Sequence, residues 1–420
     1  MQLSTILYDI SLQAYRLAIG IASSRNVKAK QWIDGRKDIF KKIAKAAKPG
    51  EKRIWVHASS LGEFEQGRPL IEKIKQEKPD IKIVLTFFSP SGYEIRKNYP
   101  QADYIFYLPL DTKNNAERFV SFVQPSVAIF IKYDFWYHYF NELNKRSIPI
   151  ILISAVFRED QIYFNPLGVL HRKMLGMLKH IFVQDEISQQ LLKGLRLEKN
   201  VSIAPDTRID RVADIAEKVQ PIPIVEKFLA GTKALIGGSL YDIENKYLRQ
   251  AYDKGLVKSK IIIAPHKVDE ESVKQIQRTW GNKAVLYTDL QENLLNPINQ
   301  GSEILIINTI GLLSSLYQYG NIAIIGGGFG KGIHNTLEPA TFGLPVLFGP
   351  KYQKFNEAVA LIASGGAFCF INEIELVSIL NKLNNGTAMA KAGKAASGFI
   401  KENTGGTEMI FNWLKTEHLL

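Results

Sequence analysis

Residues 324–357 carry the residue types that bind a phosphate without a metal ion. An apolar run ends in three glycines, a Gly-Lys-Gly follows, and Asn335 opens a helix-like segment. Glycine lets backbone amides approach a ligand closely, and a helix N-terminus presents free N–H groups with partial positive charge. The pattern predicts a phosphate-bearing ligand near Gly327 and Gly328. The spacing matches neither G-x-G-x-x-G nor a P-loop, and a turn that serves only packing is the alternative.

A second motif, Ser60-x-x-Glu63, follows the apolar run that ends at His57. It reads as a capping box, in which Glu63 does no more than bond back to the Ser60 amide. Its position after a strand also suits a ligand site, and Gly62 would let a substrate approach. The motif leaves a helix cap and a general base equally open for Glu63.

The second half of the chain repeats this arrangement of polar residues after apolar runs. Ser239 and the nearby amides are candidates to hold a phosphate, and His266 is either a donor to a ligand or an ordinary loop histidine. Asp242 and Asp269 are plausible N-caps. Asn335-x-x-Glu338 looks like a cap with a carboxylate at the third position, so Glu338 is either part of that cap or a partner for a ribose hydroxyl.

These residues need strands to position them, and two series of short apolar runs alternate with helix-like segments. The first series comprises residues 54–57, 83–86, 127–131, 148–153 and 181–183, and the second comprises residues 234–237, 261–264, 304–307, 322–325 and 346–348. Buried parallel strands have this pattern. With a linker near Pro221 and Pro223, the sequence predicts an α/β protein of two doubly wound halves with a ligand cleft between them.

The composition restricts the class of protein. The 420 residues are 46% hydrophobic with a formal net charge of +12, which suits folded domains and an acidic partner. The single cysteine, Cys369, excludes an intramolecular disulfide, and no metal-binding motif or nucleophile elbow is present. Aromatic residues are not interleaved with the basic ones, so we expect no nucleic-acid partner.

The N-terminal segment carries a separate signal. Apolar residues in 3–21 fall near helical spacing, and a cluster of cations follows: Arg25, Lys28, Lys30, Arg36, Lys37, Lys41, Lys42, Lys45 and Lys48. An amphipathic helix followed by cations suits the surface of an anionic membrane. A first helix packed on the protein body is the alternative.

Five blocks in order resemble the bacterial 3-deoxy-D-manno-octulosonic acid (Kdo) transferases. They are HASSLGEFEQGRPLI, DTRIDRV at residues 206–212, GGSLYDIEN, IIIAPHKVDEE, and GGGFGKGIHNTLEPATFGLPVLFGP with the later Asn-Glu. The resemblance implies a GT-B fold, with two Rossmann-like domains facing a cleft. It also implies inverting transfer of Kdo from CMP-Kdo to a phosphorylated lipid A precursor in lipopolysaccharide biosynthesis, without a cofactor or metal.

The resemblance further implies a domain plan and a location. Residues 1–35 would form the membrane-associated helix and basic segment, 36–215 the acceptor-binding domain, 216–400 the CMP-Kdo-binding domain, and 401–420 a helix crossing back to the first domain. The protein would act at the cytoplasmic face of the inner membrane, either peripherally or through a single N-terminal anchor.

The family's functional residues carry over to this sequence by position. Glu63 matches the carboxylate implied to be the base. Residues in donor-side blocks are Ser239, His266, Lys267, Gly327, Gly328, Asn335, Glu338, Asn356 and Glu357, and acceptor-side candidates are Ser60, Gly62, Lys132 and Asp134.

The chain also departs from the family pattern at several positions. Lys132 replaces the first Glu of Glu-x-Glu-Leu-Trp, His266-Lys267 stands for Arg-His, and Ala204-Pro205 precedes Asp206 where a glycine is common. Another GT-B nucleotide-sugar enzyme, either a transferase or an epimerase, and a non-catalytic membrane-associated binding protein are the remaining hypotheses.

Overall fold

The computed structural model describes residues 3–46, 48, 50–292 and 301–420. The chain divides into two compact units. Unit 1 comprises Met1–Asp210 and Gly405–Leu420, and unit 2 comprises Arg211–Thr404. The chain therefore leaves unit 1, builds unit 2, and returns to complete unit 1.

Unit 1 is built on one parallel sheet with the order β3-β2-β1-β4-β5-β6-β7. Its strands are β1 (Arg53–Ala58), β2 (Lys82–Phe87), β3 (Tyr104–Tyr107), β4 (Val127–Ile131), β5 (Ile150–Ala155), β6 (His180–Val183) and β7 (Val201–Ile203). β1 and β4 are buried along their whole length. Such apolar runs, without alternation of polar residues, are typical of a sheet covered on both faces.

The helices of unit 1 cover both faces of this sheet. They are α1 (Leu3–Ala22), α2 (Val27–Asp34), α3 (Ile39–Ala46), α4 (Leu61–Glu77), α5 (Pro90–Arg96), α6 (Lys113–Val123), α7 (Tyr137–Lys145), α8 (Val169–Leu175) and α9 (Glu186–Gly194). Two apolar clusters fill the space between helices and sheet, one around Trp55 and Phe130 and the other around Phe64 and Ile129.

The first helix, α1, packs on the protein body through one face, as one of the two alternatives for the N-terminal segment predicts. Its inner face is packed on unit 1, where Tyr8 donates a 2.6 Å hydrogen bond to the buried Asp111 and Leu12 contacts Trp32. Its outer face exposes apolar side chains, and Leu3, Leu17 and Ile21 are each about 70% exposed (71%, 67% and 72%). No helix in the described part of the chain is long and apolar enough to span a membrane.

Unit 1 is completed by α20 (Gly406–Thr416), which packs on α4. The carboxylate of Asp210, on α10 (Thr207–Glu217), accepts hydrogen bonds from the backbone N–H groups of Gly405 and Thr407 at 2.5 and 2.6 Å. These N–H groups belong to the helix N-terminus, which lacks intrahelical acceptors. Through these two hydrogen bonds, Asp210 attaches the N-terminus of α20 to the rest of unit 1.

Unit 2 has a second parallel sheet with the order β10-β11-β9-β8-β12-β13-β14. Its strands are β8 (Ala234–Leu240), β9 (Lys260–Pro265), β10 (Ala284–Leu286), β11 (Ile304–Ile306), β12 (Gly320–Ile325), β13 (Val346–Phe348) and β14 (Ala367–Cys369). Its further helices are α11 (Pro223–Leu229), α12 (Asp242–Asp253), α13 (Glu270–Trp280), α14 (Tyr287–Glu292), α15 (Leu313–Leu316), α16 (Leu337–Thr341), α17 (Asn356–Ser364), α18 (Glu373–Leu383) and α19 (Gly386–Glu402).

Each of the ten apolar runs identified in the sequence overlaps a strand, which confirms the predicted α/β architecture. Four strands were not predicted from the sequence: β3, β7, β10 and β14. Each has three or four residues, and all four lie at the edge of a sheet.

Candidate active site

The carboxyl ends of β1 and β4 meet at the centre of the unit 1 sheet. The strand order reverses between these neighbours, because β2 and β3 lie on one side and β5 to β7 on the other. Ligands of doubly wound sheets bind in the crevice at such a reversal. Ser59 and Ser60 follow β1, and Lys132 follows β4, so the predicted acceptor-side residues come together here.

Glu63 lies in the first turn of α4, where the predicted capping box is confirmed. Its carboxylate accepts a 2.8 Å hydrogen bond from the Ser60 N–H, and the Glu63 N–H points to Ser60 Oγ at 3.5 Å. Burial raises the pKa of Glu63, and the charge of Lys132 opposes that rise. A Cβ at Gly62 would meet only Ser60 Oγ, at 4.0 Å, so there is open space at Gly62. Glu63 is thus a helix cap whose pKa is raised by burial.

Asp134 is a second, more deeply buried carboxylate beside Glu63. It accepts a 2.7 Å hydrogen bond from the Ser59 N–H and another from the Ser59 hydroxyl. Burial, and then the charge of Glu63, raise the pKa of Asp134 well above its usual range. Since the charge of Glu63 acts on Asp134, Glu63 is the first of these two carboxyl groups to ionise.

His57 lies below this pair and is neutral. Trp136 Nε1 donates to His57 Nε2 at 3.1 Å, and an indole nitrogen can only donate. The imidazole proton is therefore on Nδ1, 2.8 Å from Thr86 Oγ1. Complete burial lowers the pKa of His57 to about 3. Its 3.7 Å approach to Asp134 is consequently not an ion pair at neutral pH. No role for His57 or Trp136 was predicted from the sequence, although a histidine at the end of an apolar strand could have indicated a functional residue.

Lys132 has an unusual backbone conformation for a non-glycine residue, with φ of 64°. This left-handed conformation is uncommon outside glycine, asparagine and aspartate, and it is a form of local strain that concentrates at functional sites. It turns the chain sharply after β4, between the strand and Asp134.

The strand order of unit 2 reverses between β8 and β12, and the donor-side candidates gather at their carboxyl ends. Ser239 lies near the end of β8, again with a left-handed φ, of 53°. His266 and Lys267 follow β9 and are exposed, and Asn356 and Glu357 begin α17 after β13. The structure therefore brings these candidates to neighbouring strand ends within one unit.

The glycine-rich turn after β12 is shaped by its contacts within unit 2. Gly327 has φ of 94°, and its N–H donates a 2.8 Å hydrogen bond to the buried carboxylate of Glu244. A Cβ at Gly328 would lie 2.5 Å from the Gly349 backbone nitrogen, so only glycine allows this approach. The amide of Gly327 is thus occupied by a carboxylate, and a phosphate at this turn has to use other donors.

Two expected helix starts were wrong by one or two residues. The helix predicted from Asn335 begins at Leu337, because Asn335 Oδ1 accepts from the Leu337 N–H in a side-chain turn, while its amide donates to Glu338 at 3.0 Å. Glu338 is therefore not at the third helical position. Asp242 is inside α12 rather than its N-cap, which is Tyr241. The predicted N-cap at Asp269 is confirmed by its 3.0 Å bond from the Ser272 N–H.

Three nearly parallel rings lie beside the glycine-rich turn, and two of them were not identified from the sequence. The His266 ring centroid is 4.5 Å from that of Tyr241 and 4.6 Å from that of His334. The ring centroids of Tyr241 and His334 are only 5.7 Å apart, so these two rings are neighbours and His266 packs against both. Burial is the main cause that lowers the pKa of both histidines. Lys267 lowers the pKa of His266 further, and His266 lowers that of His334 further. No group of three or more potential metal-binding side chains occurs in residues that the structure describes.

Comparison with known proteins gives consistent results. The family described as 3-deoxy-D-manno-octulosonic-acid transferase (kdotransferase) matches residues 34–211. The enzyme of that name from Aquifex aeolicus is 27% identical over 79% of this chain and 85% of its own length. The one from Haemophilus influenzae is 23% identical over 94% of both chains.

A solved structure supports the architecture independently. UDP-GlcNAc 2-epimerase from Neisseria meningitidis superimposes with a TM-score of 0.60 at 16% identity, covering 87% of this chain and all of that one (100%). At this level of identity the likeness establishes the fold alone. The predicted GT-B fold is confirmed.

Proposed function

We propose that the chain is a member of the Kdo transferase family, a family of glycosyltransferases, and that it transfers Kdo from CMP-Kdo to a lipid A precursor in lipopolysaccharide biosynthesis. The observation that carries the proposal is the pair of carboxylates at the strand reversal of unit 1, the half-buried Glu63 and the buried Asp134. Sugar transfer to a hydroxyl needs a base, and a carboxylate with a raised pKa suits that role near neutral pH.

We propose Glu63 as the base. An acceptor hydroxyl oxygen attacks the anomeric carbon of Kdo, its proton passes to Glu63, and CMP departs with the bonding electron pair. A single displacement of this kind inverts the anomeric configuration. Asp134 and Ser59 hold the turn beside Glu63, and Ser60 orients its carboxylate through the capping box.

The strand ends of unit 2 are the proposed donor site. Ser239, Lys267 and the rings around His266 offer a hydroxyl, a cation and an aromatic surface for the phosphate and base of CMP. Asn335, Glu338, Asn356 and Glu357, with the turn at Gly328, are proposed to complete it. Since Glu244 occupies the Gly327 amide, Gly327 would contribute shape rather than a hydrogen bond.

The outer face of α1 is the proposed contact with the cytoplasmic face of the inner membrane. Its exposed apolar residues Leu3, Leu7 and Ile10 lie on one helical face, and exposed cations follow in α2 and α3. Apolar burial combined with attraction to anionic lipid is the usual basis of such binding. Replacing these three residues with serine should abolish binding to phosphatidylglycerol vesicles.

The central experiment compares wild type, Glu63→Gln and Glu77→Gln, with CMP-Kdo generated in situ and a tetra-acylated lipid A precursor. Glu77 ends the same helix and serves as the matched control. Product from wild type, a loss of about a hundredfold or more in Glu63→Gln, and little change in Glu77→Gln would support Glu63 as the base. Equal rates in all three proteins would refute that role. No Kdo transfer, with conversion of a UDP-sugar instead, would refute the proposed reaction.

A further inference from the structure

A large pocket in unit 1 lies apart from the carboxylate pair, between α1, the α2–α3 segment and the start of α6. Its volume is about 810 Å³, within the range of ligand sites. Five of its lining residues are cationic: Arg16, Arg36, Lys37, Lys41 and Arg118. Asp38 is its one acidic lining residue among those that the structure describes.

These cations differ in whether their charge is already compensated. Arg36 is buried and donates to the carbonyl oxygens of Trp32, Phe88 and Leu108, so it forms the floor. Lys37 and Lys41 pair with acidic neighbours one turn away. Arg16 and Arg118 form no ion pair within the described residues, and both are exposed; the Arg118 guanidinium lies 3.9 Å from the centroid of the Phe40 ring. Two guanidinium groups without an anionic partner among the described residues thus line one pocket.

Two further features favour an anion there. The pocket includes Thr112 and Asn114 at the N-terminus of α6, an eleven-residue helix whose first N–H groups carry partial positive charge. The buried indole N–H of Trp32, which also lines the pocket, has no hydrogen-bond partner among described residues. An unsatisfied buried donor in a native structure is uncommon.

The pocket is continuous with the apolar outer face of α1. Arg16 and Gly20 line it and also line a second hollow with Leu17 and Ile21, which are among the most exposed apolar side chains of the helix. Inside the pocket, Ile33, Phe40 and Leu110 add apolar surface. A ligand placed here would meet cations at one end and hydrocarbon at the other.

We propose that this pocket binds the phosphate headgroup of an anionic membrane lipid, with the acyl chains lying along α1 at Leu17 and Ile21. Arg16 and Arg118 contact the phosphate, since guanidinium groups bind phosphate in a bidentate way. The inference rests on the proposed membrane contact of α1 but not on the transfer chemistry.

The test measures binding of dihexanoyl phosphatidylglycerol, below its micelle concentration, to the full chain by calorimetry. Arg16→Gln/Arg118→Gln is compared with Lys42→Gln/Lys45→Gln, which removes the same charge from neighbouring positions outside the pocket. We expect the first variant to weaken binding at least tenfold and the second less than twofold. Dihexanoyl phosphatidylcholine should bind at least tenfold more weakly than the glycerol lipid.

Four results would overturn the proposal. Equal weakening by the two variants would reduce the effect to net charge. Equal binding of the phosphatidylcholine probe would remove the role of the anion, and inorganic phosphate binding as tightly as the lipid would remove the role of the acyl chains. Wild type that binds vesicles but not the soluble lipid would leave the membrane contact standing without this pocket.

Discussion

The electrostatics of Glu63 and Asp134 predict different effects of two single substitutions on the pH–rate profile. Burial raises the pKa of Glu63 and the charge of Lys132 lowers it, whereas burial and then the charge of Glu63 raise the pKa of Asp134 well above its usual range. Asp134 is therefore still protonated where Glu63 ionises, so Asp134→Asn removes no charge there and should leave the pKa of Glu63 unchanged. Lys132→Met removes a positive charge and should raise the pKa of Glu63.

The magnitude follows from the ionised fraction of the base. A charge at close range shifts a pKa by about one unit or more, which corresponds to about 1.4 kcal/mol. The base is active when ionised, above its pKa, so activity is lost as pH falls through that value. On the acid limb, a one-unit rise in the pKa of Glu63 lowers kcat/KM about tenfold relative to the plateau of the same variant. This loss is expected in Lys132→Met and not in Asp134→Asn.

The assay is kcat/KM for Kdo transfer as a function of pH, with each variant normalised to its own plateau. Asp80→Asn, an exposed carboxylate beyond α4, is the matched control and should leave the profile unchanged. An acid limb of Lys132→Met that coincides with wild type, or a clear shift of the acid limb in Asp134→Asn, would refute this reasoning. A lower plateau of Asp134→Asn without a shift would mean that Asp134 acts on the structure of the turn.

Two further predictions concern carboxylates that bind backbone amides, the partly exposed Asp210 and the buried Glu244. Asp210→Asn should lower the free energy of unfolding of unit 1 by about 2 kcal/mol, because hydrogen bonds to charged groups contribute about 1.5–3 kcal/mol and one acceptor remains. Hydrogen exchange of the α20 amides should then accelerate. Unchanged exchange, or an equal effect of the exposed control Asp214→Asn, would contradict this prediction. Glu244→Gln should turn an amide N–H toward the donor of Tyr241 or Gly327 and destabilise unit 2 by about 1–3 kcal/mol. A lower Tm by several degrees in a thermal melt is expected, and an unshifted Tm would show that the turn does not depend on Glu244.

Much of the fold could be predicted because buried parallel strands have a local signature. Runs such as residues 127–131 are continuously apolar, whereas β14 has three residues and follows two glycines, and β7 contains a serine. Short edge strands bury little, so the sequence need not mark them with a long apolar run. Their existence depends on pairing with a neighbour already in place.

The candidate site divides in the same way. The Ser60–Glu63 box was predictable because its two residues are three apart on one helix. The bond from Ser59 to Asp134 joins residues 75 apart, and that from Gly327 to Glu244 joins residues 83 apart. Such bonds arise from strand order, which the single sequence does not specify. Arg36 shows the converse, because a cation counted in the basic segment is buried and bonded to carbonyl oxygens.

The division of unit 1 between two distant parts of the chain affects its biosynthesis. Residues 405–420 leave the ribosome after all of unit 2, yet Ile410, Phe411 and Leu414 belong to the unit 1 core around Phe64. Until then, the apolar surface that α20 covers on α4 stays open to solvent or chaperones. Unit 2 can therefore finish folding on the nascent chain before unit 1 does, and the carboxylate pair reaches its final support only when translation has passed the last helix.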